Sequence, residues 1–169
     1  VTQHFDPPDY EELAGDDPEI ELKLATDRAF ADWFRHNVVR HKVPGYSIVI
    51  ASLKALDVPP GDATHEQMDA LADLADRYSL GRIRVTYEQN LVLADVKTAD
   101  LDAVWAELQR IGFATPNINK LTDIICCPGL DFCGLANARS IPVSQRISQA
   151  FADLDRLYDL GDIRVNISG

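Results

Sequence analysis

The sequence predicts an α+β fold, and three observations carry that expectation. Between residues 45 and 112 the apolar residues switch between strand-like and helical spacing in the order strand, helix, strand, strand, helix. Proline, glycine and polar clusters separate these segments, as turns require. Beyond Pro116 a second set of apolar segments begins, and it holds all three cysteines of the chain between Cys126 and Cys133.

Taken in order, residues 1–19 carry Pro7, Pro8 and Pro18 among many acids, with few apolar residues to bury. That composition predicts an extended segment lying on a neighbour. From Thr26, read as an N-cap, Phe30, Trp33, Phe34 and Val38 recur at helical spacing, which predicts a helix over 27–38 with its aromatic stripe in the core. Asp27 suits the positive end of its dipole. His36 and His41 flank its end without further ligands at metal spacing and read as surface histidines. After Pro44-Gly45, the β-branched run from Tyr46 to Leu53 predicts a strand covered on both faces.

Pro59, Pro60 and Gly61 then break the chain. Thr64 with Gln67 forms a capping box opening a helix over 65–78, with Met68, Leu71, Leu74 and Ala75 on one face. Ile83 and Val85, then Leu91, Val92, Leu93 and Val96, predict two antiparallel strands joined at Glu88-Gln89-Asn90. Asp100 or Thr98 caps the next helix, with Leu101, Val104, Trp105, Leu108 and Ile111 inward and Gly112 as its stop. This order is most of a ferredoxin-like split βαβ plait, an antiparallel sheet with both helices on one face. One further strand would complete it.

In the remainder, Leu121 to Ile125 reads as a short strand, Gly134 to Arg139 as the start of a helix, and Ser144 as the cap of another helix. That last helix carries Ile147, Phe151, Leu154 and Leu157 on one face, and Gly161 precedes a strand over Ile163–Ile167. Between Cys127 and Cys133, Pro128-Gly129-Leu130-Asp131 forms a turn that could bring both sulfurs to one point. A shared metal or cluster is one reading, and a buried free-thiol pair the other. A helix beginning directly after Cys133 would lower that thiol's pKa and favour the ligating thiolate.

The formal charge of -11, from 27 acidic against 16 basic residues, argues against nucleic acid or an anionic membrane surface as partner. No apolar run approaches the ~20 residues of a membrane span. The first residues lack the pattern of a signal peptide, and three clustered cysteines fit a reducing compartment, so the expected location is cytoplasmic. The chain starts without Met and ends at a strand's turn residue, which reads as a piece of a longer protein.

Together these residues resemble the catalytic chain of the siroheme-containing nitrite and sulphite reductases, in its carboxy-terminal half. Cys127 and Cys133 match that family's first cysteine pair, Gly134-Leu-Ala-Asn-Ala138 the residues after it, and Val165-Asn-Ile-Ser-Gly169 the strand leading to a second pair. Gly81-Arg-Ile-Arg-Val-Thr-Tyr-Glu-Gln-Asn-Leu-Val-Leu93 resembles the hairpin of its ferredoxin-like half-domain. The resemblance implies an extended segment and linker helix over 1–43, the half-domain over 44–115, and an incomplete siroheme and [4Fe-4S] domain over 116–169.

It further implies a [4Fe-4S] cluster coupled to siroheme, with Cys127 and Cys133 as two of four metal ligands. Electrons from a ferredoxin or flavoprotein would reduce sulphite, or alternatively nitrite, with the remainder of the chain completing the site. Arg84, Gln89, Asn90 and Asn137 are candidates to bind siroheme, Arg84 because a guanidinium forks onto carboxylates. The competing reading of these residues is a turn and a solvated strand face. No catalytic residue is assigned, since the anion-binding basic residues of the family lie mainly in its other half. Cys126 matches no family ligand and reads as a buried thiol. The piece by itself is expected to be inactive and to hold neither cofactor intact. A ferredoxin-like plait serving as a non-catalytic binding module is the alternative from outside enzymology.

Overall fold

A computed structural model describes residues 8–158, 161 and 163–169, with backbone alone for 155–158. The expectations for residues 1–7 and for the side chain of Leu157 fall outside the described residues. Helix α1 (Pro18–Thr26) and helix α2 (Arg28–Asn37) precede a strand β1 (Val38–Arg40) and strand β2 (Tyr46–Ala51). Then follow helix α3 (His65–Tyr78), strands β3 (Arg84–Val85) and β4 (Leu91–Lys97), and helix α4 (Leu101–Arg110). Strand β5 (Ile125–Cys126), helix α5 (Ser140–Tyr158) and strand β6 (Asn166–Ile167) complete the chain.

The first four strands form one antiparallel sheet in the order β1-β2-β4-β3. This is the α+β plait expected from the sequence. Strand β1 pairs with β2 on the side away from β4 and so supplies the further edge strand from upstream. Sequence reading had assigned Val38 to the end of a helix. Three residues give too little pattern to announce a strand, and the pairing with Ser47, Ile48 and Val49 decides it.

The core joins the sheet to its helices. Phe30 and Trp33 of α2, Leu71, Leu74 and Ala75 of α3, and Leu101, Val104, Trp105 and Leu108 of α4 meet Val49, Ala51, Leu91, Leu93 and Val96 of the sheet. A register shift between the Ser47–Val96 and Val49–Leu93 pairs lets Val96 join Leu93 in this core. Asp95 instead receives the Tyr10 hydroxyl at 2.7 Å. Residues 8–17 lie over β2 and β4 through that bond, through Glu11 N–H to the Tyr46 hydroxyl at 3.1 Å, and through Lys97 to Glu11 at 2.8 Å. His41 is no surface residue, for its side chain is 7% exposed and packs between Tyr10 and Tyr46 near Asp95.

Local signals place most helix ends. The Thr64–Gln67 capping box is present in full, and the Gln67 amide also donates to the Ile111 carbonyl at 2.8 Å. Met68, expected inward, is 38% exposed. Gly112 takes φ +80° after α4, so Phe113 N–H reaches the Leu108 carbonyl at 2.8 Å and Phe113 enters the core. The N-cap of α2 is Asp27 rather than Thr26: its carboxylate accepts from Ala29 N–H and Phe30 N–H, while Thr26 ends α1. Among the described residues no helix is long and apolar enough to cross a membrane.

Candidate metal centre

The cysteine segment is joined to the plait by buried polar groups. Ser52 and Lys54 leave the end of β2, and Asn90 opens β4. Asn117 accepts from the Ser52 hydroxyl at 2.7 Å and donates to the Lys54 carbonyl at 3.2 Å. Lys54 Nζ donates to the Glu88 carbonyl at 2.5 Å and to Asp123 at 3.1 Å, with side chains 1% and 5% exposed for Lys54 and Asp123. Asp123 also accepts from Asn90 at 3.0 Å and from Asn119 N–H at 3.1 Å. Burial pushes the Lys54 pKa below its ordinary value, opposed by the attraction of Asp123.

From this anchor the chain enters β5, which pairs in parallel with β6. The strand is shorter than the expected Leu121–Ile125, for residues 121–123 form a turn and Cys126 belongs to the strand. Strand β6 is likewise confined to Asn166–Ile167 instead of spanning Ile163–Ile167. Ile125 N–H and Cys127 N–H donate to Val165 and Ile167 carbonyls of the β6 side, each at 3.0 Å. Cys126 faces the opposite way, and there the Gln89 carboxamide takes both of its backbone groups. Cys126 N–H donates to Gln89 Oε1 at 3.0 Å, and Gln89 Nε2 donates to the Cys126 carbonyl at 2.9 Å.

The three thiols meet different surroundings. Cys126 is buried at 3% exposure, and desolvation raises its pKa. Cys127 is half-buried; the backbone N–H groups of Gly169 and Gly129 lower its pKa, and Gly129 N lies 3.3 Å from its sulfur. The backbone is crowded at this point. A Cβ on Gly129, which has φ +61°, would stand 2.3 Å from Ser140 Oγ, and one on Gly169 would stand 2.6 Å from the Ala138 carbonyl. Cys133 is half-buried, and its N–H closes a turn onto the Gly129 carbonyl at 2.8 Å.

The helix expected directly after Cys133 is absent. Residues 134–139 form turns and bends, and α5 begins at Ser140. A surface pair of Arg139 with Asp131 at 2.7 Å and a Leu130 N–H bond to the Ala138 carbonyl at 3.0 Å hold that loop instead. No helix N-terminus stands at Cys133; the N–H groups around the Cys127 sulfur lower that thiol's pKa. Ser144 lies inside α5 and donates to the Ile141 carbonyl at 2.8 Å, so it caps nothing. Ile147 and Phe151 are half-buried and Leu154 is 41% exposed.

The four residues assigned to siroheme fall into two kinds. Arg84 on β3 and Asn137 in the loop after Cys133 are exposed, and neither side chain makes a hydrogen bond to another described residue. Gln89 and Asn90 are committed to the protein: Gln89 to Cys126 as above, and buried Asn90 to Leu53 N–H at 3.1 Å and to Asp123. Sequence reading missed Lys54, Asn117 and Asp123 altogether. The one local sign was a lysine immediately past an apolar buried strand, a place where a charge needs a partner.

Two thiolates are soft donors of the type that holds iron-sulfur clusters, and N–H groups aimed at one sulfur suit an anionic ligand. Among the described residues no three His, Cys, Asp or Glu stand together as a metal group. Cys127 and Cys133 are free, half-buried thiols on either side of the short turn over Gly129–Asp131.

The fold is a ferredoxin-like plait whose hairpin holds a short cysteine-bearing strand. Residues 55–111 match the nitrite/sulfite reductase ferredoxin-like half domain. The chain is 29% identical over 142 residues to a chloroplastic ferredoxin–nitrite reductase of Betula pendula, covering 79% of this chain and 24% of that protein. It is 32% identical over 123 residues to sulfite reductase [ferredoxin] 2 of Mycolicibacterium paratuberculosis, covering 69% and 22%. The structure of the NirA protein of Mycobacterium tuberculosis superposes with a TM-score of 0.60 at 26% identity, over 77% of this chain and 24% of that one. The half-domain match, the relatives and the superposed structure support the siroheme nitrite and sulfite reductase family, and the chain spans about a quarter of the length of these relatives.

Proposed function

We propose that the chain is part of an assimilatory reductase that converts sulphite to sulphide at siroheme coupled to a [4Fe-4S] cluster. The observation that supports this reading is that the hairpin of a plait matching the reductase half domain holds the Cys126 peptide, directly before a segment carrying Cys127 and Cys133 on either side of the turn Gly129–Asp131. Cys127 and Cys133 would ligate two cluster irons. The cofactors supply electron storage and anion binding, and the protein orients and tunes them. Arg84 and Asn137 have exposed side chains suited to siroheme carboxylates. Gln89 and Asn90 would serve the cofactors by holding the hairpin and the cysteine strand.

Nitrite reduction to ammonia is the second reading, favoured by the nitrite reductase names among the relatives. The ferredoxin in those names supports a ferredoxin donor, in place of a flavoprotein. The clustered thiols support a reducing compartment, and a cytoplasmic location is kept as part of the proposal.

The test uses the complete enzyme purified without oxygen. Expected are iron, acid-labile sulphide and siroheme absorption in the wild type, with the cluster lost in Cys127→Ser and in Cys133→Ser. Unchanged metal content in both variants would overturn the reading. Rates with sulphite against nitrite, driven by reduced methyl viologen, decide between the two substrates.

A further inference from the structure

We propose that Gln89 is a positioning residue that fixes the cysteine strand on the plait and thereby sets where Cys127 stands. Among the described residues β5 has one neighbour, β6, whose side accepts the N–H groups of Ile125 and Cys127. On the opposite edge the N–H and C=O of Cys126 would face a missing strand. The Gln89 carboxamide carries one donor and one acceptor, as a backbone peptide does, and meets both at 2.9 and 3.0 Å. It acts as a one-residue third strand.

The base of this clamp is itself rigid. Gln89 adopts φ +60°, unusual outside glycine, in a turn closed by Gln89 N–H to the Thr86 carbonyl at 3.2 Å and Thr86 N–H to the Asn90 carbonyl at 3.0 Å. Lys54 holds the preceding carbonyl of Glu88, and Gly61 packs so closely that a Cβ there would lie 3.0 Å from that of Gln89. A strained residue held from three sides, and spending both polar atoms on one peptide, is built for placement. The thiol of Cys127 follows one peptide later. The importance of that placement to a metal rests on the proposed function; the action of Gln89 on the strand does not.

Amide hydrogen exchange on the 169-residue chain, followed by NMR, tests the clamp. Gln89→Met keeps the length and removes both bonds, so the Cys126 amide should exchange roughly 5- to 10-fold faster, the equivalent of one lost hydrogen bond. Leu93 and Val104 amides should stay as they were. Gln89→Glu keeps the acceptor and loses the donor. It should therefore retain Cys126 amide protection while the Cys126 carbonyl carbon shifts in both variants. Unchanged Cys126 exchange in Q89M, an even rise across Leu93 and Val104, or loss of Cys126 protection in Q89E would each overturn the proposal. Should Q89M not fold, Q89E alone decides by its split between amide and carbonyl.

In the complete cluster-loaded enzyme, Q89M should change the electron paramagnetic resonance g-values of the reduced cluster at constant iron content. Unchanged g-values beside a loosened Cys126 would show that the strand moves without the ligand, and would also overturn the proposal. Absence of iron from the complete wild-type enzyme would instead defeat the proposed function and leave the exchange result to judge Gln89.

Discussion

Lys54 Nζ stands 3.1 Å from Asp123 Oδ1, with both side chains almost wholly out of solvent, and the same ammonium donates to the carbonyl of Glu88. One cation thus ties the plait's hairpin to the segment that delivers the cysteines. Removing one partner of such a pair leaves an uncompensated buried charge. Lys54→Met is expected to destabilise the chain by about 3–5 kcal/mol, and Lys54→Met with Asp123→Asn to recover part of that loss. Urea denaturation of the two variants checks both magnitudes.

The two adjacent thiols should separate in reactivity. N–H groups of Gly169 and Gly129 hold Cys127 below the ordinary thiol value of 9.0, whereas burial holds Cys126 above it. Cys127 should alkylate at lower pH than Cys126, read by iodoacetamide labelling and peptide mapping. The sign for stability follows. A depressed thiol pKa contributes stability that is present above the unfolded value and is lost as pH falls through the folded one. Cys127→Ser should therefore cost more at alkaline pH than near neutrality; the reverse trend would contradict the arrangement.

Gly129 should tolerate no side chain. At φ +61° an alanine pays roughly 1–3 kcal/mol in backbone strain alone. Its Cβ would also stand 2.3 Å from Ser140 Oγ and 2.8 Å from Ser140 N. Gly129→Ala is expected to melt at lower temperature and to speed exchange of the Cys133 amide, whose partner is the Gly129 carbonyl.

The start of α2 gives a clean comparison of neighbours. Asp27 caps the helix with bonds of 3.0 and 3.1 Å to Ala29 N–H and Phe30 N–H, whereas the Thr26 hydroxyl bonds back to the Leu22 carbonyl. Asp27→Ala should lower the melting temperature and Thr26→Ala clearly less. Because the Phe30 and Ala29 N–H groups keep the Asp27 carboxyl below its ordinary pKa, that contribution is present above the unfolded value of 3.8 and fades as pH falls through the folded one. Thermal melts of both variants at neutral and acidic pH measure it.

Elements whose causes are local could be read directly. The capping box at Thr64 and Gln67, the glycine stop at Gly112 and the apolar face of α4 each depend on residues within a turn or two of one another. Elements settled by partners could not. Val38–Arg40 became a strand because β2 offered an edge, and Gly134–Arg139 stayed a loop because Asp131, Leu130 and Ala138 hold it by bonds across the turn. In the candidate site, the cysteine pair was visible as a concentration of a rare residue type. Lys54, Asn117 and Asp123 were not, since a charged or amide side chain looks solvated until its burial is known.

By itself, the sequence determined the α+β plait and the helix that the capping box opens, and it offered Cys127 and Cys133 as a candidate ligand pair through the family resemblance. Periodicity, capping chemistry and spacing are written along the chain. Tertiary structure alone decided that N–H groups lower the Cys127 pKa, that Cys126 is sealed inside, and that Gln89 serves the cysteine strand rather than pointing freely from a turn. Hydrogen-bond partners and desolvation fix a group's acidity and orientation, and both come from residues far away in sequence: Gln89 and Cys126 lie 37 positions apart.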